Sequence, residues 1–473
     1  MKRVSVRSAL GFCLVAYGLV PCVIPGASAM RVRSSQASEA KQDSHVNSIS
    51  NAIPATFFGM NVSEVDDYPS LPFGTLGHPA TYAWSWVERS KGNFRWTIFD
   101  RFVEAARSHG LVDSNGVINV VLTLGLTPSW ADSEQHNCET KFGLRQCTDP
   151  PDNIDDWRDF ITALVEHYNG KNAPHIKYYE VWNEVTASNF WKGSPEDLVK
   201  LAAVAYPIIH RDPYAIVLTP SAVGVATSAD SQATGWIASY LRAGGSKYAD
   251  GGTFHGYLGR RSVVPFPMPE QDQTPGCSGT SNTMCAGSIL TQVRAYRKVF
   301  DENGLAGKPM FNTEGSWGPD TVQDPDLQAA WLARYYLLQA GLASEDNLQF
   351  ISWFSWGRPR GDRKPWGQLE TESGSSNQAG FAYGQIRNWI LGARMVPCIA
   401  KGSVWSCSLT RAGGYEALAV WDADQSCNEG SCSTTVYSPD RRFTVVRNLN
   451  GESVKIGAGG VRVGAKPVLL ENK

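Results

Sequence analysis

The sequence carries no marked excess of charge of either sign. Its 473 residues include 43 Lys and Arg against 45 Asp and Glu, a formal net charge of −2. Nucleic-acid-binding domains usually show a basic patch or stripe, so we expect no nucleic-acid partner. The chain is 42% hydrophobic and 19% charged, a composition that excludes global disorder and favours a large buried core.

Long hydrophobic runs are also scarce. The one extended apolar segment, 9–24, is too short and too interrupted by Gly and Pro for a stable membrane span. It follows three basic residues and precedes the small residues Ala27 to Ala29, which is typical of a cleavage site. We therefore predict a cleavable signal peptide at 1–29, a polar leader at 30–52, and a secreted or periplasmic protein.

The cysteines lack any Cys-x-x-Cys motif, and no His stands at ligand spacing beside them, so a zinc site is disfavoured. Beyond the signal peptide they fall into close pairs. In an oxidising compartment the simplest interpretation is local disulfides, although spacing alone does not fix the connectivity. The candidate pairs are Cys138 with Cys147, Cys277 with Cys285, Cys398 with Cys407 and Cys427 with Cys432.

From residue 53, short apolar runs alternate with helical patterns, which is typical of βα units around a parallel sheet. Eight such runs predict an α/β fold, a (β/α)8 TIM barrel over residues 53–392. The predicted strands are Thr56–Asn61, Phe73–Leu76, Ile118–Leu124, Ile176–Trp182, Ile216–Pro220, Gly252–His255, Pro309–Thr313 and Phe350–Phe354.

The pattern changes near residue 393, where strand-like runs follow one another without helices between them. Gly- and Asn-rich turns separate these runs, so we predict an antiparallel β-sandwich module over residues 393–473. Its predicted strands are Val404–Thr410, Tyr415–Trp421, Thr434–Tyr437, Phe443–Arg447 and Val461–Leu470.

Two of the predicted barrel strands end in a carboxylate. The fourth runs into Trp182-Asn183-Glu184, with alternation placing Glu180, Trp182 and Glu184 on one side. The seventh runs into Glu314, followed by Gly315, which would let the chain turn sharply. Functional side chains of TIM barrels lie at the carboxyl ends of strands. Strands four and seven face each other across the barrel mouth, so the pair suits glycosidic bond cleavage, which needs two carboxyl groups.

Together with their order along the chain, these motifs resemble clan A glycoside hydrolases, and more narrowly glycoside hydrolase family 39 and its close relatives. The resemblance covers the whole mature chain. Its further segments are Trp84–Glu88, Thr127–Trp130, Phe254–Tyr257, Phe311–Glu314 and the closing Pro467–Glu471.

The resemblance implies Glu184 as general acid/base and Glu314 as nucleophile of a retaining hydrolase. It also implies that Asn183 hydrogen-bonds the sugar 2-hydroxyl, and that Tyr257 tunes the ionisation of the nucleophile. His255 ends the same strand, where packing in the barrel interior is as good an interpretation as a direct role. We expect Glu314 to be ionised by neighbouring donors and Glu184 to have a raised pKa from burial and from the nucleophile's charge.

The sequence departs from this family at strand two. Relatives carry an Arg at that strand end, supporting the nucleophile, whereas this chain reads Gly74-Thr75-Leu76-Gly77-His78-Pro79. His78 is a candidate substitute donor. The alternatives are support from another residue and a weakened or altered activity.

Tryptophans near the other strand ends are candidates for sugar contacts, since an indole face stacks on a pyranose. By the resemblance, Trp353 is the candidate floor beneath the reacting sugar. For Trp130 and for Trp317, contact with sugar and packing in the core are equally good interpretations. The long segment after strand six, 260–288, is a candidate wall of the cleft.

The expected partner is an oligo- or polysaccharide, and the chemistry implies no metal and no organic cofactor. Two alternatives remain. One is an arabinofuranosidase, xylosidase or endoglucanase of the same clan, because the catalytic pair is shared. The other is a non-catalytic carbohydrate-binding barrel, which the missing strand-two Arg favours and the presence of Asn183, Glu184 and Glu314 opposes.

Overall fold

The computed structural model describes residues 52–77, 83–135, 137–141, 144–224, 232–258, 268–271, 288–318, 322, 324–359, 364–428 and 430–473. All of them belong to one compact unit, His45–Lys473. The predicted signal peptide, nearly all of the polar leader and His78 lie outside the described residues. Within the described part of the chain, no helix combines the length and the apolar character needed to cross a membrane.

A parallel sheet of eight strands forms the centre of the molecule. The strands are Phe58–Val62 (β1), Thr75–Gly77 (β2), Ile118–Thr123 (β3), Ile176–Glu180 (β4), Ile216–Leu218 (β5), Gly252–His255 (β6), Met310–Gly315 (β7) and Leu348–Trp356 (β8). Their order is β5-β4-β3-β2-β1-β8-β7-β6. A parallel bridge between Leu218 and Gly251 joins the two edges. The sheet therefore closes, and the predicted (β/α)8 barrel is confirmed.

Helices pack around this barrel between its strands. They are Ala83–Val87 (α1), Thr97–Ser108 (α2), Ile154–His167 (α3), Pro195–Ile209 (α4), Gln232–Arg242 (α5), Ile289–Phe300 (α6), Pro325–Leu342 (α7) and Gln378–Ile390 (α8). The start of α4 shows how local sequence sets these bounds. Ser194 Oγ accepts the N–H of Asp197, and the Asp197 carboxylate accepts the N–H of Ser194, each at 3.1 Å. This capping box, with Pro195 at the first helical position, fixes where the helix begins.

A small antiparallel sheet lies over the barrel mouth after β3. It consists of Thr127–Pro128, Cys138–Lys141 and Leu144–Cys147. The disulfide between Cys138 and Cys147 joins two of its strands.

Three of the four predicted cysteine pairs are confirmed as disulfides. Besides the pair in this small sheet, Cys398 is bonded to Cys407 and Cys427 to Cys432. The fourth predicted pair, Cys277 with Cys285, lies outside the described residues and stays a prediction. Each confirmed bond joins cysteines nine or fewer residues apart, so the disulfides fasten local turns and hairpins.

The chain after residue 393 is antiparallel, as predicted. One sheet contains Arg394–Met395, Ile399–Lys401, Val404–Arg411, Tyr415–Asp422, Val445–Arg447, Ser453–Lys455 and Val468–Glu471. Two further pairs are Thr434–Tyr437 with Val461–Gly464 and Cys427–Asn428 with Ser431–Cys432. The single predicted strand Val461–Leu470 is wrong, because its two halves belong to different sheets. Apolar side chains from both sheets, including Val420, Val463 and Leu470, form a common core.

A buried charged pair ties this module to the barrel. Arg334 of α7 is fully buried, and its guanidinium donates to the carbonyl oxygen of Ala465 from Nε at 2.8 Å. Its Nη1 donates to Glu270 Oε1, also at 2.8 Å. Glu270 Oε1 accepts a further hydrogen bond from Trp421 Nε1 at 3.2 Å. One cation and one anion therefore meet between a barrel helix and two segments of the β-module.

Candidate active site

Glu184 lies at the barrel mouth, four residues past the end of β4. Its φ is +41°, an uncommon value for a residue with a side chain. The loop after β5 holds this conformation, since Ser221 Oγ accepts the Glu184 N–H at 3.1 Å and Ser221 O accepts the Val185 N–H at 3.0 Å. The carboxyl side chain is almost completely buried. The backbone of Glu184 is thus held by the hydrogen bonds of its own N–H and of the next residue's N–H.

The predicted alternation beyond β4 is wrong, because the strand ends at Glu180. Trp182 is fully buried and turns toward the helix layer, where its ring contacts Trp157 of α3. Its Nε1 donates to Phe190 O at 2.9 Å. Only Glu180 and Glu184 of the three predicted neighbours therefore reach the barrel interior.

Glu314 lies within β7, and Tyr257 donates its hydroxyl proton to Glu314 Oε2 at 2.7 Å. Gly315 follows for a steric reason rather than for a turn. A Cβ at that position would lie 1.9 Å from the hydroxyl oxygen of Tyr335. That hydroxyl donates to Gly256 O at 2.9 Å, so it also secures the backbone between His255 and Tyr257.

His255 connects the two carboxylates. Its Nδ1 lies 3.0 Å from Glu184 Oε1 and 3.5 Å from Glu314 Oε2. Its Nε2 lies 3.9 Å from Glu180 Oε1. The contacting atoms of His255, Glu184 and Glu314 all lie within 4.8 Å of one another. The residues that ended β4, β6 and β7 in the sequence thus meet at one point.

The charges around His255 determine its protonation. Burial alone would lower its pKa, but the negative charges of Glu314, Glu184 and Glu180 outweigh burial and raise the pKa to about 9. At neutral pH the imidazole is therefore a cation. Glu180, which sequence reasoning placed in this strand without a role, is part of this cluster. It is fully buried, and burial raises its pKa, while the charge of His255 and hydrogen bonds from Ser221 and Thr313 act in the opposite direction.

Burial also raises the pKa of Glu314, to about 7, and Glu184 adds to the rise. The charge of His255 and the hydrogen bond from Tyr257 act in the opposite direction. The neighbouring donors expected from the sequence are thus present, yet desolvation outweighs them. Burial also keeps Tyr257 neutral, because it raises the pKa of the phenol well above its usual value.

Asn183 directly precedes Glu184 in the sequence and is buried. Its Oδ1 has no hydrogen-bond partner in the described part of the chain. An unpaired buried amide oxygen costs free energy unless a ligand or water completes it. The side chain therefore has an acceptor to offer a bound hydroxyl.

The tryptophans predicted to contact sugar are mostly covered. Trp353 is fully buried, packs against Tyr335 and Tyr336 of α7, and donates from Nε1 to Gly367 O at 2.7 Å. The predicted sugar floor does not fit this position. Trp317 is buried against Trp353 at 5.0 Å between ring centres.

Two other aromatics line the mouth where Trp353 was expected. Phe354 and Trp366 are partly exposed, and both rings contact Tyr257 edge-on, at 6.1 and 5.1 Å. Trp130 is partly buried, with Nε1 donating to Glu88 O at 2.7 Å. The aromatic surface next to Glu314 therefore comes from Phe354 and Trp366.

Two groups of side chains in the described part of the chain are close enough to hold a metal ion. The first is Asp132, Cys138 and Cys147, whose sulfurs are joined in the disulfide. The second is Glu184, His255 and Glu314. In this group the Nδ1 of His255 lies within hydrogen-bonding distance of Glu184. The imidazole can therefore act as a proton donor to the carboxylates.

The chain is similar to known proteins in sequence and in fold. No family model matches the chain. The β-xylosidase of Geobacillus stearothermophilus is 25% identical over 239 residues, which are 47% of this chain and 44% of that protein. The chain thus matches less than half the length of this curated relative. A family 39 glycoside hydrolase from Bacteroides cellulosilyticus superposes with a TM-score of 0.63 at 18% identity, over 89% of this chain and 81% of that one.

The fold is that of family 39 glycoside hydrolases. A monomeric β-xylosidase from Caulobacter crescentus gives the same result, with a TM-score of 0.57 at 18% identity over 89% of this chain and 97% of that structure. The resemblance predicted from the sequence is therefore confirmed for the fold, across both the barrel and the β-module.

Proposed function

We propose that this protein is a secreted, retaining glycoside hydrolase that cleaves β-glycosidic bonds of an oligo- or polysaccharide. The barrel over residues 53–392 carries the reaction, and the module over residues 393–473 packs against it as a support. The disulfides are consistent with export into an oxidising compartment.

The separation of the two carboxyl groups carries the proposal. Their facing oxygens lie within 4.8 Å. Retaining enzymes place the carboxyl groups about 5–5.5 Å apart, whereas inverting enzymes leave about 6.5–9.5 Å for a water molecule. An oxygen–oxygen distance below 4.8 Å lies under both ranges and is nearer to the retaining one, which supports direct attack by one carboxylate.

The first step would form a glycosyl-enzyme. Glu184, as acid, donates its proton to the glycosidic oxygen while a Glu314 oxygen attacks the anomeric carbon from the other face. Tyr257 and the His255 cation keep part of the Glu314 population ionised below the pH that burial alone would require. Asn183 offers its unpaired oxygen to the sugar 2-hydroxyl, where a hydrogen bond strengthens in the transition state.

The second step would release the sugar. Glu184, now a carboxylate, takes a proton from water as that water attacks the anomeric carbon and Glu314 leaves. Two inversions restore the starting configuration. His255 contacts both carboxyl groups, so its imidazole stabilises whichever of them carries the negative charge.

The name of the relative suggests the first substrate to test. The Geobacillus protein is a β-xylosidase, so xylan heads a panel that also includes β-1,4-glucan, β-1,4-mannan and β-1,4-galactan. We expect the wild-type protein to release reducing sugar from at least one polymer, and a Glu184→Gln variant to release at least a hundredfold less. Equal release by wild type and variant, or none from any polymer or its aryl β-glycoside, would contradict the proposal.

A further inference from the structure

A cavity of about 550 Å³ is lined by the chain that follows Glu184 and by α5. Val185 and Thr186, the two residues after Glu184, form part of its wall. Trp191, Gln232 and Trp236 form much of the rest. Its volume lies within the range of about 300–1,000 Å³ that is typical of small-molecule sites.

The wall that follows Glu184 is held in place by a turn of its own and by hydrogen bonds to two other segments. The Ala187 N–H donates to Glu184 O at 2.8 Å, and the Lys192 N–H donates to Thr148 O at 3.0 Å. The Thr186 hydroxyl donates to Val223 O, and the Val223 N–H donates back to that hydroxyl at 3.1 Å. The cavity is therefore formed before any ligand binds.

The lining suits a hydroxyl-rich, uncharged ligand. Trp236 of α5 is partly exposed and its ring lies nearly parallel to that of Tyr240, with 14° between the planes, so its orientation is fixed. An aromatic face held in this way is a platform for the apolar side of a sugar ring. The one charged side chain among the residues lining the cavity, Lys192, donates from Nζ to Asn137 Oδ1 at 2.5 Å.

Trp191 contributes a second, independent sign of a ligand. Its side chain is 3% exposed, and its Nε1 has no hydrogen-bond partner in the described structure. Gly193 packs closely against the ring, since a Cβ there would lie 2.4 Å from the Cζ2 atom of Trp191. The indole is therefore a donor here and not a platform. A buried N–H without an acceptor is unfavourable, and a ligand hydroxyl would complete it.

We propose that this cavity binds the sugar units of the leaving group, so that the substrate extends past the scissile bond on the Glu184 side. This inference rests on the proposed function. The group that leaves is the one whose oxygen receives the Glu184 proton, and it departs on the side of Glu184 away from Glu314. The natural substrate is then an oligo- or polysaccharide cleaved with sugars on both sides of the bond, and not a glycoside with a small aglycone.

The test compares two substrates that differ only in what they place in the cavity. The first is the aryl β-glycoside of the sugar released from the best polymer of the panel above. The second is the hexasaccharide of that polymer. The variant Trp236→Ala removes the platform, and Trp236→Phe keeps an aromatic face. Tyr214→Ala is the matched control, because Tyr214 is an exposed aromatic residue that precedes β5 at the opposite end of the barrel.

We expect Trp236→Ala to lose about tenfold in kcat/KM on the hexasaccharide, mainly through KM, and less than twofold on the aryl glycoside. Trp236→Phe should recover most of the loss, and Tyr214→Ala should change neither substrate. An unchanged hexasaccharide rate in Trp236→Ala, or an equal loss on both substrates, would overturn the subsite and leave the proposed function standing. Hydrolysis of neither substrate by the wild-type protein would instead overturn the proposed function.

Discussion

Two of the buried charge clusters in the described part of the chain are built differently. At the junction with the β-module, the Arg334 guanidinium meets one carboxylate, Glu270, at 2.8 Å. At the barrel mouth, the His255 imidazole faces three carboxyl groups, those of Glu184, Glu314 and Glu180, at 3.0, 3.5 and 3.9 Å. The first is balanced in charge, and the second has an excess of acid.

The difference separates a structural site from a chemical one. Removing one partner of a balanced buried pair leaves the other charge buried and uncompensated, so its loss is felt in folding. Like charges that share one cation cannot all be ionised at once, so their pKa values move toward the working pH. Burial, with the charge of Glu184, raises the pKa of Glu314 to about 7, and the three carboxylates raise the pKa of His255 to about 9 against the effect of burial. Substitutions in the Arg334–Glu270 pair should therefore change stability, and substitutions in the cluster at the barrel mouth should change activity.

The largest effect is expected at Glu314. Glu314→Ala removes the proposed nucleophile, and kcat should fall by about 10⁴-fold or more while the unfolding midpoint stays near the wild-type value. Added azide should restore turnover and yield the glycosyl azide of inverted configuration. Retained activity without azide would show that Glu314 is not the nucleophile.

At the junction, Arg334→Met should destabilise the fold by about 3–5 kcal/mol, because Glu270 would remain buried without its cation. Urea unfolding measures the change, and the activity of the remaining folded protein should be unaltered. Arg107→Met is the control. Arg107 pairs with Glu104 on the surface, and its loss should leave the unfolding curve unchanged. An Arg334→Met variant as stable as wild type would show that this buried pair does not stabilise the fold.

Within the mouth, Tyr257→Phe removes the hydroxyl that donates to Glu314 at 2.7 Å. We expect kcat to fall by roughly 10²-fold, the range found when one preorganised donor is deleted. Tyr335→Phe is a useful comparison, since the Tyr335 hydroxyl bonds Gly256 O rather than a carboxylate. Equal losses in the two variants would show that the contact of the Tyr257 hydroxyl with Glu314 has no specific effect on the nucleophile.

The smallest expected effect is a shift in pH dependence. The charge of His255 lowers the pKa of Glu314, so His255→Gln should raise that pKa. Glu314 must be ionised to attack, and activity is lost as pH falls below its pKa. The acid limb of the kcat/KM profile should therefore move to higher pH, by about one unit. His210→Gln is the control, because His210 pairs with Asp250, which precedes β6, away from the mouth. A limb that stays in place or moves to lower pH would show that His255 is not charged.

The strand ends that build the site could be predicted because each is an apolar run that stops at polar residues. This holds for β4, β6 and β7, whose ends supply Glu184, His255, Tyr257 and Glu314. Strand β8 offers no such contrast. The run Phe350–Trp356 is apolar or aromatic at five of its seven positions, without strict alternation, and its pairing with β1 shifts register between Phe354 and Trp356. Period-two reasoning cannot choose a face there, so Trp353 was assigned to the mouth that Phe354 occupies.

Long-range contacts were beyond the sequence for a different reason. Arg334 and Ala465 are 131 residues apart, and nothing local marks either as half of a junction. That contact also lies where the predicted strand Val461–Leu470 breaks in two. The role of Glu180 depends likewise on a distance to His255 that only the closed barrel provides.

The central claim is that Glu314 attacks the sugar directly. Its most direct test is ¹H NMR of the hydrolysis of the best substrate, which identifies the anomer that appears before mutarotation. The account predicts that the β-anomer forms first, with net retention. First appearance of the α-anomer would mean that water attacks in a single inverting step, and would contradict it.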